Sequence, residues 1–301
     1  MSSLVEVEIR RLVARRLFKG LTLVVALACV AIGVLTFINS TDDPARVAAA
    51  VEQRREEIAQ CVESVPTMMD GAPQPDAVDD PVQWCRDETY GSDPRFLFRD
   101  MQWILGTLGM PMIMLGWLLG ASSIGAEWAN RTVMTTLTWN ARRVRVLAAK
   151  ALAVGIVTFA WVMLLQGAFL ASMYPAGAFE GSMMGVDGGW WADTLALSAR
   201  AAGIGAMAAL FGLSLATIGR NTAAALGIGF VYLAVVEGLV RAFKPSWVDW
   251  LIGDNVVLVV IGDLDVNHLG HSMGAAALLL AVYSVVLGTI AGMVFHRRDV
   301  A

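Results

Sequence analysis

Nowhere in its 301 residues does this chain carry a GxxxxGK[ST] phosphate loop, which excludes ATP hydrolysis by that route. No HExxH or paired-cysteine motif marks a metal catalyst. Of the three histidines only His268 and His271 fall close together, and no third ligand lies near them. Charge is scarce as well: 16% of residues are charged, against about 25% in a soluble domain. Cysteine is limited to three residues. Cys29 falls in an apolar run and reads as a small buried side chain. Cys61 and Cys85 share a polar segment placed outside the membrane, where an oxidising compartment lets them pair as a disulfide. Closing the 23-residue gap between them should stabilise that segment by roughly 3 kcal/mol in the chain-entropy model.

Apolar length is what the chain has in quantity. Hydrophobic residues make up 57%, and six runs approach or exceed the ~20 residues that cross a bilayer. They fall at about 17–38, 101–120, 148–173, 193–218, 222–243 and 272–295. The pattern predicts an all-α polytopic membrane protein, one transmembrane domain over residues 1–301 with six transmembrane helices. The first run is too long for a signal-peptide core and lacks a suitable cleavage site, so it reads as a span.

Four segments lie outside the spans. Residues 1–16 place Leu4, Val5, Ile9, Leu12 and Val13 on one side of a helix and Arg10, Arg11, Arg15 and Arg16 beyond it, which reads as an N-terminal interfacial helix or as a basic topology signal. Residues 41–97 form an external insertion, expected to be helical over 45–65 and then loop through Pro66, Gly71, Pro73, Pro75 and Pro81. Residues 121–147 are a basic segment. Residues 245–270 hold Pro245, Trp247, Trp250 and an apolar run at 256–261 between Asp254 and Asp263. That run is too short to cross, and reads as an outer re-entrant helical segment or as an external strand or loop covering the bundle. Trp190 and Trp191 fall where an aromatic belt is expected.

The charge distribution sets an orientation. With both termini, 121–150 and Arg220 on one side, that side holds 13 basic and 4 acidic residues, and the other holds 8 basic and 22 acidic. The positive-inside rule then places both termini in the cytoplasm of a bacterial cell, with the chain multi-pass in the plasma membrane. The lipid bilayer accounts for the basic residues, so nucleic acid is not an expected partner.

Within the spans, ionisable residues point to function or to pairing. Arg200 and Glu237 are expected to pair across spans 4 and 5, with Arg241, four residues after Glu237, as the competing partner. Pro111 removes a backbone donor from span 2 and is a candidate hinge, although prolines also occur in static spans. Gly253-Asp254 and Gly262-Asp263 are similar to fragments of aspartyl intramembrane protease motifs, but they lie in the outer loop rather than in long spans, and no catalytic constellation is assembled.

The stretch 121–150 carries Ser123, Glu127, Trp128, Arg131 and Thr132, then Arg142, Arg143, Arg145 and Lys150. Glu127 and Arg131 are four apart and can pair on a helix. Charge alone fits either a short helix that meets another protein or a loop that only fixes topology. Three patches go further: Gly125-Ala126-Glu127-Trp128 with Arg131-Thr132, Gly219-Arg220-Asn221-Thr222, and the terminal Phe295-His296-Arg297-Arg298-Asp299. In this order, with an interfacial helix, six spans and an outer re-entrant segment, the chain resembles the ABC-2 type permease subunits of bacterial ABC exporters. The resemblance implies a non-enzymatic membrane subunit that pairs with a second permease subunit and docks on a separate cytoplasmic ATPase. ATP and magnesium would be held by that partner and no cofactor by this chain. It implies that Ser123, Glu127, Trp128, Arg131 and Thr132 meet the ATPase and that spans 2 and 5 line the pathway. An apolar pathway with Met110, Met112 and Met114 would suit a hydrophobic or amphipathic substrate, although such residues are equally good packing. The longer outer insertion departs from the simplest members. The competing reading is a membrane sensor or scaffold whose acidic outer loop binds a ligand without transporting it.

Overall fold

The computed structural model describes residues 2–69, 82, 85, 94–132, 142–262 and 269–297. The expected loop at 70–81, with Gly71, Pro73, Pro75 and Pro81, therefore lies outside the described residues. So do residues 133–141 of the basic segment, and Asp263, His268, Arg298 and Asp299.

The elements are α1 (Ser2–Ala14), α2 (Arg16–Asn39), α3 (Pro44–Met69), β1 (Phe96–Leu97), α4 (Met101–Ala129), α5 (Arg143–Phe179), β2 (Gly181–Ser182), α6 (Gly188–Gly219), α7 (Thr222–Phe243), α8 (Ile252–Ile261) and α9 (Met273–Arg297). Six of them, α2, α4, α5, α6, α7 and α9, are long and apolar enough to cross a membrane. This is a polytopic helical membrane protein.

Several helices outrun the apolar runs that announce them. Hydropathy marks only the part of a helix immersed in hydrocarbon, and helical hydrogen bonding continues through polar residues beyond it. α4 runs without a break through Pro111 and on to Ala129, so the first part of the basic segment is the end of span 2 and not a separate helix. α5 continues through Pro175 to Phe179, beyond the apolar run that ends near 173. α3 likewise passes the expected end at Val65.

The chain divides into two compact units. One takes Leu27–Met101 and Phe169–Asp187. In it β1 and β2 pair in parallel, Phe96 against Gly181 and Leu97 against Ser182. Ser40 ties this bridge: its hydroxyl donates to the Glu180 carbonyl and accepts from Phe96 N–H at 2.9 Å. Phe98 is fully buried and meets Tyr174 edge-on. Cys61 and Cys85 are joined in a disulfide, with Cα atoms 5.8 Å apart.

The other unit takes Met1–Ala26, Gln102–Ala168 and Gly188–Ala301, and holds the cores that position the sites described below. Its most enclosed helix is α6, whose buried face is mostly small: Ala201, Ala202, Gly205, Ala208, Ala209, Gly212 and Ala216. Lipid gives apolar helices no hydrophobic reason to associate, so close backbone approach must supply the attraction. α4 answers with Gly116 and Gly120. A Cβ at Gly116 would lie 2.7 Å from the Gly205 carbonyl oxygen, and one at Gly120 would collide with the carbonyl of Ala209. Around this seam, Ile113 of α4, Ile204 of α6, Val259 and Val260 of α8 and Leu280 of α9 form one core. Leu119, Trp161 and Val162 form a second with Phe18 and Leu21 of α2.

This packing makes Gly120 intolerant of any side chain. Gly120→Ala should lower stability by about 1–3 kcal/mol or more, since the obstacle is backbone. Gly203→Ala on α6, where a Cβ meets nothing within 4 Å, should be neutral or slightly stabilising. Thermal unfolding of both purified variants in detergent checks the contrast.

Candidate functional site

Two polar assemblies lie within the larger unit, one near each end of α4. The first gathers around Lys150, whose side chain is only 5% exposed. Its ammonium donates to Glu8 Oε2 at 2.5 Å and to Glu127 Oε1 at 2.8 Å. Arg15, at the bend between α1 and α2, donates to the same Glu127 oxygen at 3.1 Å and to the carbonyls of Ser122 and Ser123 at 2.7 Å each. Arg11 also donates to Glu8 Oε1 at 3.1 Å, so two carboxylates face three cations and the cluster carries a net positive charge. Its geometry fastens α1 to the far end of α4 and the first turns of α5. Guanidinium and ammonium groups near the carboxyl end of α4 also meet the negative end of its dipole.

Around the cluster the three sequence patches converge. A Cβ at Gly125 would lie 2.6 Å from Thr222 N, so the start of α7 rests on the α4 backbone. Trp128 stacks under the Arg220 guanidinium at 5.1 Å and meets Phe295 edge-on at 6.2 Å. The turn itself is built by Arg220 at φ 55 and by Asn221, whose side chain accepts from Ala223 N–H and caps α7.

The sequence-predicted contact residues are sorted differently by this geometry. Ser123 is buried and Glu127 is committed to Lys150 and Arg15, so neither faces outward. The expected Glu127–Arg131 pair does not form. α4 stops at Ala129 and Arg131 takes φ 56, the left-handed conformation that ends a helix, which carries it off the face of Glu127. Trp128 is packed against Phe295 and Arg220. Arg131 and Thr132 are exposed. Glu8, Arg15 and Lys150 were not read as a site from the sequence. A signal was present: Glu8 lies between Leu4 and Leu12 at intervals of four, a carboxylate on an apolar stripe.

The second assembly lies toward the other end of α4. A cavity of about 230 Å³ is walled by Met110, Met114 and Trp117 of α4, Met207 and Phe211 of α6 and Leu233 of α7, with Arg241 and Asp254 also on its lining. Trp117 and Phe211 stack, with ring centroids 6.3 Å apart. Beside them α7 contains a π turn at Tyr232–Val236, after which Glu237 is buried at 2% exposure. Glu237 accepts from Arg241 Nη2 at 2.9 Å and from Gly253 N–H at 2.8 Å. Arg241 also reaches Asp254 at 2.9 Å, and Tyr232 Oη accepts from Ile252 N–H. The orphan amides at the start of α8, which has no side-chain cap of its own, are thus satisfied from α7.

The expected Arg200–Glu237 pair is therefore replaced by Glu237–Arg241. The π turn shifts the register of everything after it, and α8 occupies the place where a cross-span partner would have to stand. Arg200 lies instead beside Gly262 at the end of α8, 3.8 Å from where a Cβ there would be. α8 packs Val259 and Val260 against α6 and α9. His271 Nε2 lies 2.8 Å from the side chain of the fully buried Asn255. Among the described residues no group of three or more metal-ligating side chains occurs.

Residues 95–301 match the family described as protein of unknown function, DUF2705. The chain belongs to this family. No curated protein matches it. Of the charge cluster, Glu127 and Lys150 lie within the DUF2705 match, whereas Glu8 and Arg15 precede it. The cavity, α8 and the Arg241 network all lie within the DUF2705 region, and the disulfide does not.

Removing Lys150 strips the buried ammonium from the cluster and leaves Glu8 with only the half-exposed Arg11 and Glu127 with only Arg15. Lys150→Met should therefore lower stability by about 3–5 kcal/mol, and Glu8→Gln added to it should return part of that loss. Thermal unfolding of the two variants, measured together, checks the coupling.

Proposed function

We propose that this chain is the membrane-embedded permease subunit of an ATP-driven exporter, working with a separate cytoplasmic ATPase and a second permease subunit. The observation that carries the reading is α4. One unbroken helix holds the charge cluster at one end and supplies Met110, Met114 and Trp117 to the cavity nearer the other. From Trp117 to Glu127 is about 15 Å along the axis at ~1.5 Å per residue. A push on the clamped end is delivered to the cavity wall without an intervening loop, and Pro111 lies where such a helix can bend.

The chain carries no phosphate loop, so hydrolysis belongs to the partner. In this reading the end bearing Arg131, Arg142 and Arg145 is cytoplasmic, both termini lie on that side, and α8 is the re-entrant segment in the outer half of the membrane. The cavity, lined by methionine and stacked aromatic rings with Arg241 and Asp254 on its wall, suits a hydrophobic or amphipathic molecule. The partner-facing residues are the exposed ones, Asn130, Arg131 and Thr132. Glu127 acts behind them, holding the element rigid.

Arg131 separates docking from folding. Its left-handed backbone costs roughly 1–2 kcal/mol that glycine does not incur, so Arg131→Gly should be at least as stable as the native chain. The same change removes the exposed cation and should weaken capture of the co-expressed ATPase by roughly fivefold to tenfold. Pull-down and unfolding on the same preparation provide the test. Undiminished capture would remove Arg131 from the interface, and a native chain that captures no ATPase would end the permease reading.

A further inference from the structure

A second cavity, larger than the one beside Trp117, lies apart from both polar assemblies. It is a groove of about 710 Å³ between α5, α6 and α9, with Val144, Leu147 and Ala151 on one wall and Leu210 and Leu213 behind. Along α9 it runs from Ser284 past Gly288 and Gly292 to His296 and Arg297. Apart from the hydroxyls of Ser214, Ser284 and Thr289, its walls are apolar up to this last turn.

Its length and charge identify what fits. The helix from Ser284 to Arg297 spans about 20 Å at ~1.5 Å per residue. One leaflet, headgroups included, is about 20–22 Å, half of a ~40–45 Å bilayer. The groove is thus one leaflet deep, and its cationic end falls at headgroup level. Arg297 is exposed and makes no ion pair among the described residues. The other wall of the mouth is the start of α5, a 37-residue helix whose positive dipole end lies at Arg143–Val144–Arg145. The geometry points to a binding site for an anionic diacyl phospholipid, with its phosphate at Arg297 and the α5 start and an acyl chain along Gly288 and Gly292. A second protein helix would need no cation at one end alone, and a zwitterionic lipid would gain little from one. This inference rests on the chain spanning a bilayer, and does not depend on the permease reading.

Two variants divide the site. Gly292→Leu extends into the groove, since a Cβ there meets nothing within 4 Å, and so fills it without disturbing the fold. Arg297→Gln removes the headgroup cation. The full chain is placed in nanodiscs of phosphatidylcholine containing a spin-labelled tracer, either phosphatidylglycerol or phosphatidylcholine, and the motionally restricted fraction is read by electron spin resonance. The native chain should retain phosphatidylglycerol at least fivefold over phosphatidylcholine. Arg297→Gln should remove about fivefold of that preference, corresponding to the ~1 kcal/mol a basic residue contributes at an anionic surface. Gly292→Leu should abolish the preference for phosphatidylglycerol, leaving only the boundary restriction common to both tracers. Equal restriction of the two lipids by the native chain would overturn the proposal. So would Gly292→Leu lowering the dimer fraction by native mass measurement while leaving that preference intact, because the groove would then be an interface between copies.

Discussion

Burying an ammonium group inside a membrane protein is costly unless carboxylates face it. Lys150 meets that condition with two carboxylates, and the rest of the larger unit is arranged accordingly. Glu8 can reach it only if α1 lies against the bundle, and Glu127 only if α4 stays helical past the apolar run. Arg15 then adds a second cation to Glu127 and locks the Ser122 and Ser123 carbonyls. Each partner arrives from a different part of the chain, so the pairing fixes three elements at once. Directional contacts of this kind do what hydrophobic contact cannot do in lipid, where Leu against Leu is worth no more than Leu against an acyl chain.

Between these directional contacts, packing relies on the absence of side chains. Gly116 and Gly120 let α4 touch α6 backbone to backbone, and this brings Trp117 against Phe211 at the cavity wall. Rigidity at the seam and adaptability at the cavity are therefore adjacent on one helix. Methionines, which have several rotatable bonds, occupy the adaptable side.

The number of spans and their order were legible in the sequence because apolar length is a local property. The extent of the helices was less so: Ala121–Ala129 continues α4 although it contains Ser122, Ser123 and Glu127, which hydropathy reads as an exit from the membrane. The disulfide partners could be named from the shared segment of Cys61 and Cys85. The charge cluster could not, because Glu8 and Lys150 are 142 positions apart and nothing local couples them. Glu237 was correctly singled out as a buried ionisable residue, but the choice of Arg200 assumed an uninterrupted α-helix. The π turn at Tyr232–Val236 broke that assumption. No propensity rule marks YLAVV as a π turn.

That π turn also has a bearing on how α7 can vary. A wide turn accommodates one residue more than the α spacing would, so the segment behaves as a helix with a single residue inserted. Loss of any one residue between Tyr232 and Val236 would let the helix close up into regular spacing. Everything after it would then turn by about 100°. Glu237 and Arg241 would swing away together from the start of α8, keeping their mutual pair while abandoning Gly253 and Asp254. Chain length across these five positions is thus held by what lies beyond them, and substitutions there are freer than deletions.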